Sequence, residues 1–157
     1  MSNWVINLFI NHLREQCSRE VAKVGVAIIE FTEKFADDVS WGRGTDHGTL
    51  TFRCNTDIGP LPLFHLTSSG QLNLQINFMR SKDIPPMVLR DVVLKLESNF
   101  IRDYDEVEYP SDVFVPIDEL FHTENQLEKF LKTVEGATYR LRQLSLIHIS
   151  EPTRPLR

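Results

Sequence analysis

The segment Trp41-Gly42-Arg43-Gly44-Thr45-Asp46-His47-Gly48 is the densest set of residues in this chain that could do chemistry. Its glycines allow close backbone approach to a ligand, and Arg43, Thr45 and His47 can contact an anion. A nucleotide-binding glycine fingerprint, however, follows a strand and opens a helix, whereas this loop runs into the alternating pattern Leu50, Phe52, Cys54. The plainer account is a hairpin loop whose glycines take positive φ. With Arg53 added, the candidate nucleic-acid or ligand contacts are Trp41, Arg43, Thr45, His47 and Arg53. An enzyme with its site in the Gly42 to Gly48 loop would draw on Arg43, Asp46, His47 and Arg53, but nothing in their spacing demands catalysis. The sequence has no nucleophile elbow, phosphate loop, paired-His motif or carboxylate pair followed by Lys on a strand, so no catalytic residue is assigned.

The remaining polar clusters are weaker. Gln71, Asn73, Gln75 and Asn77 form an amide row that could read base edges, but no aromatic residues are interleaved to stack on bases, and a solvated sheet face explains the row more simply. Asp103, Asp105, Glu106 and Glu108 lack the calcium-loop pattern and read as a solvated acidic connection. His12, His65 and His122 stand apart from each other and from Cys17 and Cys54, which leaves no metal-ligand spacing and no disulfide framework. Neither a metal nor a cofactor is expected.

The elements that must position these residues follow from periodicity. Trp4 to Leu13 is amphipathic at helical spacing, and Ser18 can cap a second helix with a Val21, Val24, Ile28, Phe31, Phe35 stripe, unless the two fuse around Cys17. Val39 and Trp41 lead through the glycine loop into Leu50 to Cys54, a hairpin. Leu61 to Thr67 is a third strand, with Pro62 marking an unpaired or edge start. Gln71 to Phe78 alternates cleanly and predicts a fourth strand with Leu72, Leu74, Ile76 and Phe78 on one side. Pro85 and Pro86 open a helix through Val88, Val92, Leu96 and Phe100. Val113 to Ile117 is a short extended piece. Thr123 can cap a last helix that ends near Gly136. Short turns between strands require antiparallel pairing, so the expected fold is α+β: an antiparallel four-stranded meander packed with flanking helices as a two-layer sandwich.

Composition is that of an ordinary globular domain, with 41% hydrophobic and 25% charged residues among 157. No apolar run reaches membrane-spanning length and no signal peptide is evident, so a soluble, cytoplasmic, single-domain protein is expected. Residues 144–157 resemble the in-frame translation of a transposase library adapter. They are expected to be an artefactual tail on a domain covering 1–143, for which a truncated fragment is one reading. Removing Arg154, Arg157 and Glu151 takes the formal charge from −5 to −6. That acidity argues against a dominant phosphate-neutralising surface, though a local basic patch is compatible with it.

Val39-Ser40-Trp41-Gly42-Arg43-Gly44, Gly48-Thr49-Leu50, the Gly70 to Phe78 segment and Val115-Pro116-Ile117-Asp118-Glu119-Leu120 together resemble a small bacterial α/β domain of uncharacterised function. Such domains occur in proteins that also carry restriction-endonuclease-like or other DNA-associated modules. The resemblance spans residues 20 to 140 and implies a non-catalytic accessory domain whose partner is DNA or a fused or partner nuclease module. The acidic balance supports a second reading, a protein interaction or dimerisation module with no nucleic-acid role.

Overall fold

Ser18 divides the N-terminal helical sequence in two. Its side chain accepts the Val21 amide at 3.2 Å, satisfying one of the donors that a helix start leaves open. Helix α1 (Asn3–Gln16) therefore stops short of α2 (Arg19–Phe35), and the two do not fuse through Cys17. The α2 stripe turns inward as its spacing predicts, with Ile28 and Phe31 buried and Val21, Val24 and Phe35 packed beside them. The computed structural model describes residues 3–43, 48–56, 59–82, 84–100 and 104–150, the side chains of 3, 4, 43, 99, 100 and 144–150 excepted.

Five strands follow in an antiparallel sheet whose spatial order is the chain order: β1 (Asp38–Arg43), β2 (Gly48–Thr56), β3 (Gly59–Thr67), β4 (Gln71–Leu74) and β5 (Phe114–Pro116). The meander is one strand longer than periodicity predicts. The short extended piece around Val115 returns across a long connection to pair with β4, Asn73 opposite Phe114 and Leu72 opposite Val115. Pro62 lies where β3 has β2 on one side and has not yet met β4, opposite Arg53 at a register shift between Phe52 and Arg53. A bulge and an edge are the two places where a strand tolerates a missing N–H.

The fourth strand is shorter than its alternation predicts. β4 ends at Leu74, Gln75 turns the chain at φ −86° and ψ 49°, and Ile76–Arg80 form the short helix α3. The deciding contact is remote in sequence: the Asp112 carboxylate accepts the amides of Asn77 at 2.7 Å and Phe78 at 3.0 Å. Those donors are satisfied without a neighbouring strand. Leu72, Leu74 and Ile76 are buried in either conformation, so their pattern could not tell the two apart.

Helix α4 (Pro86–Phe100) opens at the diproline and buries Val88, Val92 and Leu96. After the short α5 (Ile117–Leu120), Thr123 caps α6 by accepting the Gln126 amide at 3.2 Å. α6 spans Glu124–Ser150, so Gly136 lies within it and does not end it. Ala137, Thr138 and Leu141 continue the buried face past that glycine, and tertiary packing overrides its cost of about 1 kcal/mol. The backbone of 144–150 prolongs the same helix, and 151–157 lie outside the described residues.

The helices cover the sheet face that carries Leu50, Phe52, Phe64, Leu66 and Leu72, all fully buried. Through this core runs a chain of aromatic contacts, Phe31 to Phe52 (5.8 Å between ring centroids), Phe52 to Phe64 (5.2 Å), Phe64 to Phe130 (5.7 Å) and Phe130 to Phe121 (5.3 Å). It ties α2, two central strands, α6 and the end of α5 together. A cavity of about 30 Å³ remains between the sheet, α4 and α6, lined almost wholly by aliphatic and aromatic side chains such as Leu74, Val92 and Phe130. With so few polar partners it would stay dry.

Arg142 on α6 fastens this layer to the start of β1, binding Asp37 at 3.0 Å and donating to the Phe35 carbonyl at 2.7 Å. Burial pushes the Asp37 carboxyl up, but the Asn55 amide and Arg142 outweigh it and hold the group below its ordinary value. A carboxylate lowered in this way adds stability that is fully present above its unfolded pKa and is lost as pH falls through the folded one. Asp37→Asn is therefore expected to cost about 1 kcal/mol at pH 7. The difference from the parent should shrink below about pH 4, as urea titrations at pH 7 and pH 3 would show.

Candidate functional site

The face of the sheet away from the helices carries a mostly polar row. Register places Ser40 opposite Thr51, Thr51 opposite His65, His65 opposite Asn73 and Asn73 opposite Phe114. The resulting row crosses all five strands, about 19 Å at the usual strand spacing. It lines a shallow cleft of about 490 Å³ together with Gly42, Thr49, Arg53 and Gln75.

Hydrogen bonds hold these side chains in place. Arg53 Nε donates to Ser40 Oγ at 2.9 Å, Thr51 Oγ1 and His65 Nδ1 lie 2.7 Å apart, and Gln75 Nε2 donates to Asn73 Oδ1 at 2.7 Å. The bulge between Phe52 and Arg53 lies beside the guanidinium, a usual place for a bulge to re-aim a side chain. Asn73 and Gln75 are only 6% and 9% exposed, so the amide row is not a solvated face. Asn77 leaves the row altogether, its Nδ2 donating to the Tyr109 carbonyl at 2.9 Å.

Burial lowers the His65 pKa from its ordinary 6.5 and the nearby Arg53 charge adds to this, while a Gln75 hydrogen bond and Asp112 oppose it without reversing it. The ring is neutral at pH 7, and an NMR titration is expected to place its midpoint below 6.5. A hydroxyl beside an imidazole is the pairing that nucleophilic catalysis uses. Here the hydroxyl belongs to buried Thr51 and the imidazole is shared with Gln75, which leaves little room for a reacting group. The cluster presents fixed donors and acceptors, with one held cation and, at the β5 edge, the exposed ring of Phe114.

Of the five contacts expected from sequence, Arg53 lies in this cleft. Trp41 contributes to its lining, but its ring packs edge-on against Phe9 at 5.4 Å between centroids, opposite Leu50 on the covered side, and its buried Nε1 has no hydrogen-bond partner. Arg43 ends β1 and is described by its backbone alone, while Thr45, His47 and the neighbouring Asp46 lie outside the described residues. The far end of that loop is fixed: Gly48 N donates to Ser68 Oγ at 2.8 Å, Ser68 N donates to the Gly48 carbonyl at 3.0 Å, and His12 Nδ1 lies 2.7 Å from the same hydroxyl.

Ser40, Thr51, His65 and Phe114 escape a reading by motif. Alternation marks Thr51 as facing away from Leu50 and Phe52, but only the strand register brings it to His65 and both of them to Asn73. Phe114 carries no sequence signal, because its strand is three residues long. Among the described residues no group of His, Cys, Asp and Glu could hold a metal ion, and no helix is long and apolar enough to cross a membrane. Compared with known proteins, the chain matches no family, no curated protein and no solved structure.

Proposed function

We propose that this chain is a non-catalytic accessory domain of a DNA-associated bacterial protein, binding a single nucleic-acid strand on the polar face of its sheet. The observation that carries this reading is the Ser40-Thr51-His65-Asn73-Phe114 row, with Arg53 hydrogen-bonded to Ser40 in the same cleft. A duplex is held mainly by clustered cations, which a chain of net charge −5 with one arginine among the described residues of this cleft supplies poorly. A single strand depends less on charge, with a salt slope of about 0.7 per phosphate against about 0.9 for a duplex, and is held in part by an aromatic ring on which a base stacks. Phe114, 44% exposed at the sheet edge, offers the ring, and Arg53 offers one phosphate contact.

Fluorescence polarisation of the chain with labelled single-stranded and duplex oligonucleotides tests the reading. Single strands are expected to bind more tightly. Arg53→Ala should weaken binding about five- to tenfold and lower the salt slope by about 0.7, the share of one phosphate on a single strand. Phe114→Ala should cost about 1–3 kcal/mol of binding. No binding at low salt, or binding indifferent to both substitutions, would reject this use of the face.

A further inference from the structure

We propose that the groove between α1 and α2 receives the acidic loop Asp105–Glu108 of a second copy of this chain. The groove, about 660 Å³ in volume, has a floor of Ala22, Val26 and Ala27 with Arg14, Arg19 and Lys23 around it, and Glu30 lies about two helical turns beyond Lys23. Among the described residues none of these three cations is in an ion pair. In a chain of net charge −5, this is a place where a negative surface can approach with attraction.

The complementary shape is on the same chain. Asp105 folds the loop by accepting the amides of Val107 at 3.0 Å and Glu108 at 2.8 Å, and its carbonyl accepts the Tyr109 amide at 2.8 Å. The base is anchored by Tyr104 and Tyr109, which are buried with their rings 5.1 Å apart, and by Arg80, which donates to the carbonyls of both. The tip stands out. Val107 is 83% exposed, with the exposed Glu106 and Glu108 on either side.

A single exposed valine needs no explanation. This one is an apolar tip framed by two carboxylates, on a loop hydrogen-bonded at its base, and the groove is an apolar floor with three cations and, at its far end, one carboxylate. Insertion of the loop sets Val107 on the floor and the glutamates among the cations, with little ordering cost on the loop side. Used twice across a two-fold axis, loop into groove and groove around loop, the contact closes a dimer. Each contact is small and its charges lie near solvent, so the dimer is weak and salt weakens it further. The polar sheet face is not used.

Sedimentation velocity across a concentration series, at low and moderate salt, reads the association directly. The chain is expected to pass from monomer to dimer with concentration, and less so at higher salt. Arg19→Glu with Lys23→Glu, or Glu106→Lys with Glu108→Lys, should each weaken the dimer at least about tenfold. All four side chains are exposed, so unchanged circular dichroism and thermal midpoints would verify the fold. An equimolar mixture of the two variants is the decisive sample, because the acidic groove of one faces the basic loop of the other and the reverse pair is also matched. Restored dimer in the mixture, absent from either variant alone, supports the contact. A strict monomer, unbounded growth, a dimer indifferent to the reversals, or no recovery on mixing would each overturn it.

Discussion

Truncating Phe64 to alanine is expected to cost about 3–5 kcal/mol of folding stability. Phe64 lies on the central strand β3, is fully buried, and touches Phe52 on β2 and Phe130 on α6 with ring centroids at 5.2 and 5.7 Å. Removing its ring takes away a large apolar area and opens a void that Leu74 and the aliphatic lining beside it cannot close, since both layers are fixed by other contacts. For a chain of this size the loss corresponds to a fall in Tm of roughly 6–20 °C. Urea titration should show a lower midpoint at an unchanged slope. Phe114→Ala is the matched control, since that ring is 44% exposed and its removal should leave stability within about 1 kcal/mol. Equal losses at the two positions would mean that the aromatic chain through the core is not what holds the two layers together.

The second large effect is expected at Gly70, in the turn between β3 and β4. Its φ is +84°, and a Cβ built there would lie 2.7 Å from Cys17 Sγ and 3.0 Å from Val21 Cγ1, which pack under the turn from the ends of α1 and α2. Gly70→Ala combines a backbone penalty of about 1–2 kcal/mol with an overpacking cost of about 1–3 kcal/mol. The Gly70 carbonyl also accepts the Ile117 amide at 2.9 Å, so a shift of the turn would disturb the end of β5. Gly59 separates the two contributions. Its φ is +105° with nothing within 4 Å of a Cβ, so Gly59→Ala should carry the backbone penalty alone. Adding Cys17→Ala to Gly70→Ala should recover part of the loss by removing the sulfur. If the two glycine variants are equally stable, or Cys17→Ala recovers nothing, the close packing beneath Gly70 is not the cause.

Both effects depend on contacts between residues far apart in the chain, and that marks how much could be read from the sequence. Ser18, Thr123 and the diproline at 85–86 act on their own neighbours, so three helix starts were legible from local chemistry. The inward stripe of α2 and the alternation of Leu50, Phe52 and Cys54 were legible because a solvated and a buried face impose a period. The end of β4 was not, since Leu74 and Ile76 are buried as strand or as helix and the choice fell to Asp112, more than thirty residues away. Nor was Gly136 a stop, because the surface that α6 covers continues past it.

The candidate site divides in the same way. Sequence marked Arg53 as a cation on a strand and set Thr51 beside it on the polar side, but it read Asn73 and Gln75 as solvated. By itself the sequence determined an α+β fold with an antiparallel meander, the apolar side of each central strand and most helix starts, because local propensity and solvent-driven periodicity act along the chain. Only the tertiary structure decided that a fifth strand completes the sheet, that Asn73 and Gln75 are buried beside His65, and that Phe114 stands at the end of the same row. Those outcomes depend on strand register and on a return of the chain from residue 114. The energies that select them come from partners distant in sequence, which no local pattern contains.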